Sequence, residues 1–405
     1  MTFTLTPTYD DHPRLQDLVE RLRDYLQGEL AQYEAELGLA PESVYTRAVL
    51  EPVWRRSRAL GFYGIHLPVE QGGQGLTHTE LAALKEEVGA SGRVLQHSVL
   101  GDMGGPLRAG SILRYATDHQ LEKYLLPVVR GERACCFSLT ETDAGSDVRA
   151  MTTVAVPEAD GDGWRITGHK VFSSAGPFAD FSVLIARMAA EPDAPADAPP
   201  VFSAFLVDLD APGCTVLPGE TPMSGEHIES DIVLDGCRVG PEQLLGSVGD
   251  GLRIGLGRVT TNRLLHCPTA LGQARRALDL TIDFARTRQV FGAPLGALQS
   301  VQHKIADMAT SYYAARSMTY DALADLDAGH EPRTEAFMCK LFVAENAFRI
   351  ADEAVQIHGK AGLVRGAEVE GIFRRLRMFR VLTGSSEIQK NGIARNLLMP
   401  REPRS

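Results

Sequence analysis

Apolar residues recur at three- and four-residue steps at both ends of this chain, and only its middle shortens to alternating, β-rich runs. That switch of period restricts the fold more than any single motif, because a helical stripe and a pleated strand bury different faces. Near the start, Leu15, Leu18, Val19, Leu22, Tyr25 and Leu26 mark one helix. DHQLEKYLLPVV (118–129) reads as another, stopped near Pro127. GFYGIHLPVEQGGQGL (61–76) is too rich in glycine for a helix and reads as a surface loop.

From about 131 to 245 come ACCFSLT (134–140), WRITG (164–168), FSVLIAR (181–187), VFSAFLVD (201–208) and DIVLD (231–235), each bounded by Gly, Pro or Asp. AAEPDAPADAPP (189–200) reads as a mobile hairpin connection. Past 250 two long stripes follow: Val301, Ile305, Met308, Tyr312, Ala315, Met318, then Phe337, Leu341, Ala344, Phe348, Ala351, Val355. A chain of 405 residues is too long for one ordinary core. The order predicts a mostly α fold with a central β domain: N-terminal helical domain 1–130, middle β-barrel or sandwich 131–245, C-terminal four-helix bundle 246–405.

A net charge of −11 argues against non-specific nucleic-acid binding, which needs cations to neutralise phosphates. The six cysteines, at 135, 136, 214, 237, 267 and 339, include no CxxC pair, so reduced thiols rather than a disulfide framework or a thiolate metal site are expected. The polar, acidic MTFTLTPTYDDHP does not read as a secretory signal, and no window has the length of a membrane span. A soluble cytoplasmic protein is expected.

Four features stand out. SLTETDAGSD (138–147), followed by ITGHKVFSSAG (166–176), offers small side chains and open amide N–H groups, suited to a ligand rich in acceptors. An ordinary polar turn has the same composition. In ARTRQVFGAPLGALQSVQHKIADM (285–308), a guanidinium at a helix break can hold a phosphate in bidentate fashion or simply complement the helix dipole. QIHGKAG (356–362) is a glycine stop after a long helix. Last comes the corner MFRVLTGSSEIQ (378–389), whose apex Thr383 carries only a weak hydroxyl.

Taken in order, TETDAGSD, ITGHKVFSS, RQVFG…Q…ADM, QIHGKAG and LTGSSEIQKNGIAR resemble the acyl-CoA dehydrogenase flavoproteins, over roughly residues 15–400. The resemblance implies FAD, with Phe137, Leu139 and Thr140 on the strand that meets the flavin ring. It implies Phe172 as the aromatic covering that ring, Ser174 as the hydroxyl at its N5 edge, and Ser146 near both ligand and flavin. It also implies a cofactor shared between subunits of a dimer or homotetramer, so that Arg288, Phe291, Gln299, Gln356 and Gly359 contact a neighbour's FAD. Lys360 stands where a second glycine is usual.

In that family a Glu before the last turn's Gly commonly removes the substrate's α-proton; here the position is Thr383, before Gly384. Some relatives place the Glu directly before an Arg on an earlier helix. The matching Arg263 follows Asn262, so both positions lack a base. An unactivated hydroxyl or amide cannot serve near neutral pH.

Three accounts follow. The base has moved, to His266 one helical turn after Asn262, to Asp102 in LGDMGG, or less directly to His97. Alternatively, the flavin runs chemistry that needs no α-deprotonation, such as enoyl reduction, oxygenation or elimination. Or the chain is the Glu-less subunit of a heteromer. The resemblance implies an acyl-thioester substrate, met by Ser146, Asn262, Arg263 and Gly384, and an electron acceptor. His227, Glu229 and Asp231 replace the small-Arg pattern usual near CoA, which leaves an acyl carrier protein open as the carrier. Asn262, His266 and Thr383 make a polar lining that points to a short or polar acyl group.

Overall fold

The computed structural model describes residues 7, 9, 11–101, 107, 110–159, 161–190, 195 and 197–399, without the side chains of 110, 111, 113 and 258–261. Its first helices are α1 (Pro13–Gln27), α2 (Glu29–Glu36), α3 (Arg47–Ala59), α4 (His78–Ala90), α5 (His97–Leu100), α6 (Asp118–Gln120) and α7 (Leu126–Val129). Strands follow as β1 (Cys135–Ser138), β2 (Val154–Pro157), β3 (Trp164–Lys170), β4 (Phe181–Met188), β5 (Phe202–Asp208), β6 (Cys214–Pro218), β7 (Ser230–Val239) and β8 (Leu244–Leu245). Helices return with α8 (Gly251–Leu265) and α9 (Cys267–Thr287), then the hairpin β9 (Gln289–Val290) and β10 (Ala293–Pro294). The chain closes with α10 (Gln299–Asp327), α11 (Arg333–His358), α12 (Glu368–Phe379) and α13 (Ser386–Leu398). The helix–β–helix order read from the period switch is the order observed.

Two compact units form: Met1–Pro41, Leu76–Gln96 and Thr261–Ser405 make one, Glu42–Gly75 and His97–Thr260 the other. In the second, the sheet runs β6-β7-β3-β2-β4-β5-β8, with β1 added parallel to β4. Its buried face gathers Cys136, Ile166, Leu184, Phe205, Ile232 and Leu234. The run 189–200 falls partly outside the described residues; on either side of it β4 and β5 pair antiparallel. The helical run 118–129 ends at Val129, two residues past Pro127. A π turn at Leu121–Leu125 precedes it, and Pro127 sits in the first turn of α7, where its missing N–H is tolerated. Arg47 ties α3 to Asp180 at 2.8 Å, and Asp180 also accepts from the Ala134 N–H at 2.7 Å.

In the helical unit, α4 and α9 cross at two glycines. A Cβ on Gly89 would lie 2.5 Å from the Thr269 carbonyl oxygen, and one on Gly272 2.0 Å from that of Glu86, so only hydrogen fits. Beside the crossing, fully buried Glu86 accepts from Tyr320 at 2.9 Å and from Arg316 at 3.0 Å, while Glu87 accepts from Arg275 at 3.0 Å. α11 packs on α9, α10, α12 and α13. Its buried face is Ala336, Cys339, Lys340, Val343, Ala347, Ile350, Ala354 and Ile357, whereas of the stripe expected from Phe337 to Val355 only Ala344 and Ala351 are buried. Four close neighbours select the small side chains, and the large aromatics turn to the periphery.

Candidate functional site

In the β unit the predicted site residues lie on β1 and the bend after β3. Phe137 and Thr140 are half-buried and Leu139 is buried. The next residue, Glu141, folds the TETDAGSD loop onto the sheet. Its carboxylate accepts from Thr152 N at 2.6 Å and Thr152 Oγ1 at 2.8 Å, from Thr153 N at 2.9 Å and from Lys170 Nζ at 2.8 Å. Lys170, wholly buried, also donates to the Leu139 carbonyl at 3.2 Å. Burial pushes the Glu141 carboxyl up, but Lys170 and the Thr152 and Thr153 donors overcome it and hold the group at about 2. The loop is thereby pinned at its base. At its tip Ser146 is exposed, and a Cβ on the adjacent Gly145 would meet nothing within 4 Å.

The bend after β3 puts two non-glycine residues at positive φ, Phe172 at +52° and Ala175 at +67°. Phe172 leaves 50% of its surface open, an apolar ring held outward on strained backbone. Beneath it, Ser173 Oγ and Ser138 Oγ lie 2.8 Å apart, and Ser182 donates to Ser138 at 2.7 Å. Ser174 Oγ donates to Glu229 Oε1 at 2.9 Å. The other titratable residues flagged nearby are also engaged: Asp231 with His169 at 2.9 Å, His227 with Thr221 at 3.4 Å, and His97 with Glu226 at 3.1 Å.

The helical unit holds the corner. α12 ends at Phe379, α13 starts at Ser386, and Ser385 caps it by accepting from Ile388 N at 3.4 Å. Thr383 sits at φ +58°, rare for a β-branched residue, followed by Gly384 at +91°. His266 joins α8 to α9, and its N–H donates to the Asn262 carbonyl at 2.9 Å. Its Nδ1 lies 2.7 Å from Thr383 Oγ1, so two residues 117 apart in sequence form one hydrogen-bonded pair. Arg263 is only 7% exposed; its guanidinium lies over the Phe337 ring at 4.2 Å, and its buried Nε has no hydrogen-bond partner among the described residues. Asn262 is half-buried.

On the same unit Arg288, Phe291, Gln299, Gln356, Gly359 and Lys360 are all exposed. Phe291 is 98% exposed at φ +47°, at the tip of the β9–β10 hairpin. Asp102 lies outside the described residues. Among the described residues no group of three or more His, Cys, Asp or Glu side chains gathers as a metal site, and all six cysteines are free.

Sequence reasoning passed over Glu141, Lys170 and Lys340. A lysine on the buried face of a helix or strand was the available signal, because such a charge stays only when something inside the fold binds it.

Three consecutive family models match the chain: acyl-CoA dehydrogenase N-terminal domain over 12–132, middle domain over 136–237 and C-terminal domain over 249–398. It is 30% identical over 384 residues to a 3-(aryl)acrylate reductase of Clostridium sporogenes, covering 94% of this chain and 98% of that one. It is 33% identical over 339 residues to the caffeyl-CoA reductase-Etf complex subunit CarC of Acetobacterium woodii, covering 84% and 87%. The butyryl-CoA dehydrogenase structure from Megasphaera elsdenii superposes with a TM-score of 0.83 at 26% identity, covering 98% of this chain and 100% of that one.

Proposed function

Because the chain belongs to the acyl-CoA dehydrogenase family, we propose that it is an FAD-dependent oxidoreductase acting across the α,β-carbons of an acyl thioester, with the Thr383–His266 pair handling the α-proton. The observation that carries this reading is the 2.7 Å contact between Thr383 Oγ1 and His266 Nδ1. A lone hydroxyl is no base, but one hydrogen-bonded to an imidazole is activated. The α-proton moves to Oγ1 as the hydroxyl's own proton moves to Nδ1, leaving the charge on the imidazole ring.

The residues present fit FAD. The open ring of Phe172, the uncrowded Gly145 and the pinned 139–141 segment suit a planar ring system. Arg288 and Lys360 are exposed cations that suit a diphosphate, while a Cβ on Gly359 would meet nothing within 4 Å. When bound, FAD supplies the two-electron acceptor at the β-carbon. The exposure of Arg288, Phe291 and Gln299 suits a cofactor shared with a second copy of the chain. Arg263 lies on the substrate side of the corner as a binding residue, and Asn262 with the dyad favours a short or polar acyl group on CoA or a carrier protein.

A second reading is the reverse direction, with the protonated pair donating to the α-carbon of an unsaturated thioester. The reductase names of the two relatives favour it. Anaerobic mixing of the FAD-loaded protein with saturated acyl thioesters separates the two: bleaching supports desaturation, whereas oxidation of the reduced protein by unsaturated thioesters alone supports reduction. In either direction Thr383→Ala and His266→Gln should slow turnover by about 100-fold or more while FAD stays bound. Full rates in both variants would overturn the dyad.

A further inference from the structure

The turn that presents Thr383 is held from beneath by a lysine no motif announces. Lys340, on the buried face of α11, is 3% exposed and makes no ion pair among the described residues. Its Nζ donates to the Phe379 carbonyl at 2.7 Å and to the Gly384 carbonyl at 2.7 Å. Phe379 ends α12, where carbonyls lack helical partners, and Gly384 directly follows Thr383. One ammonium therefore links the two sides of the turn. Gln389 Nε2 adds 2.7 Å and 3.3 Å contacts to the Gly384 and Thr383 carbonyls.

A buried cation without a carboxylate is expensive, and an apolar side chain would fill the same helix face at lower cost. What the ammonium adds is direction: two carbonyls are aimed inward, and Thr383 is left at φ +58°, a conformation that persists only under constraint from its surroundings. Burial, helped by Arg263, pushes the Lys340 pKa down to about 8 against Cys267, Glu345 and Glu387, so the group still carries its proton at neutral pH.

We propose that Lys340 is a positioning residue that clamps the Phe379 and Gly384 carbonyls and thereby fixes the Thr383–His266 hydrogen bond. The catalytic part of this inference rests on the function proposed above; the structural part stands without it.

The test uses the full-length, FAD-loaded protein with 15N-labelled histidine rings, the His266 signals assigned through His266→Gln. Lys340→Met should move the His266 Nδ1 resonance to the position it takes in Thr383→Ala. It should also slow turnover about 100-fold with KM near wild type, the scale expected for a misplaced group. In the double variant Lys340→Met/Thr383→Ala, turnover should be no slower than in Thr383→Ala alone, because both changes break the same contact. Lys340→Gln, which keeps a single donating group, should fall between and replaces the Met variant if that one fails to fold. An unmoved His266 resonance in the lysine variants, or additive losses in the double variant, would overturn the proposal. A Thr383→Ala protein with undiminished turnover would instead sink the dyad, and the resonance would still decide the clamp.

Discussion

Replacing Lys170 by methionine removes one partner of the pair that pins the TETDAGSD loop. Breaking a buried ion pair costs about 3–5 kcal/mol, mostly because the surviving charge is left uncompensated. Glu141 would keep its three bonds from Thr152 N, Thr152 Oγ1 and Thr153 N, which places this loss near the lower end, about 3 kcal/mol. The Leu139 carbonyl loses its 3.2 Å donor as well, adding about 1 kcal/mol. Lys170→Met should therefore destabilise the β unit by about 4 kcal/mol. Adding Glu141→Gln removes the stranded charge and leaves one amide oxygen for the Thr152 donors, while its NH2 faces the Thr153 N–H, so the double variant should recover part of that loss.

The chain's two tryptophans, Trp54 and Trp164, both lie in the β unit, so their fluorescence during urea unfolding reports on it. At a slope of about 2–3 kcal/mol per molar, the single variant's midpoint should fall by roughly 1.5 M. An unchanged midpoint, or a double variant less stable than the single one, would refute the argument that the pair is an electrostatic pin.

Other consequences can be checked with less work. Glu141 is held at about 2 against an ordinary 4.5, so its contribution is fully present above pH 4.5 and is lost as pH falls from there toward 2. The tryptophan-reported midpoint should drop across that window, and by less in Lys170→Met; identical profiles would count against the assignment. Phe291 is almost wholly exposed on left-handed backbone, so Phe291→Gly removes strain without removing packing. It should raise stability by about 1 kcal/mol in thermal unfolding. Equilibrium dialysis should show weaker FAD retention, and undiminished retention would exclude that ring from the cofactor site.

Much of the fold was legible because period and composition are local. Short runs such as FSVLIAR and VFSAFLVD became β4 and β5, and of the α10 stripe Val301, Met308, Tyr312 and Ala315 are buried while Ile305 and Met318 are half-buried. The α11 stripe was misread because apolar spacing does not say which face meets four neighbours, and there the small residues won. At the candidate site, the small residues of 138–147 and 166–176 marked a loop and a bend. Nothing along the chain indicated that Glu141 and Lys170 would pair beneath them.

What the sequence determined by itself was the inventory: helices, then strands, then helices, two glycine-marked loops, and a corner whose apex is a hydroxyl instead of a carboxylate. The tertiary structure decided which groups meet. It set Thr383 against His266 across 117 residues, and it placed Lys340 beneath the turn that carries Thr383. Side-chain chemistry fixes which bonds a residue can make, but a hydrogen bond acts over about 3 Å. Which of those bonds form therefore depends on a backbone path that only the packed helices define.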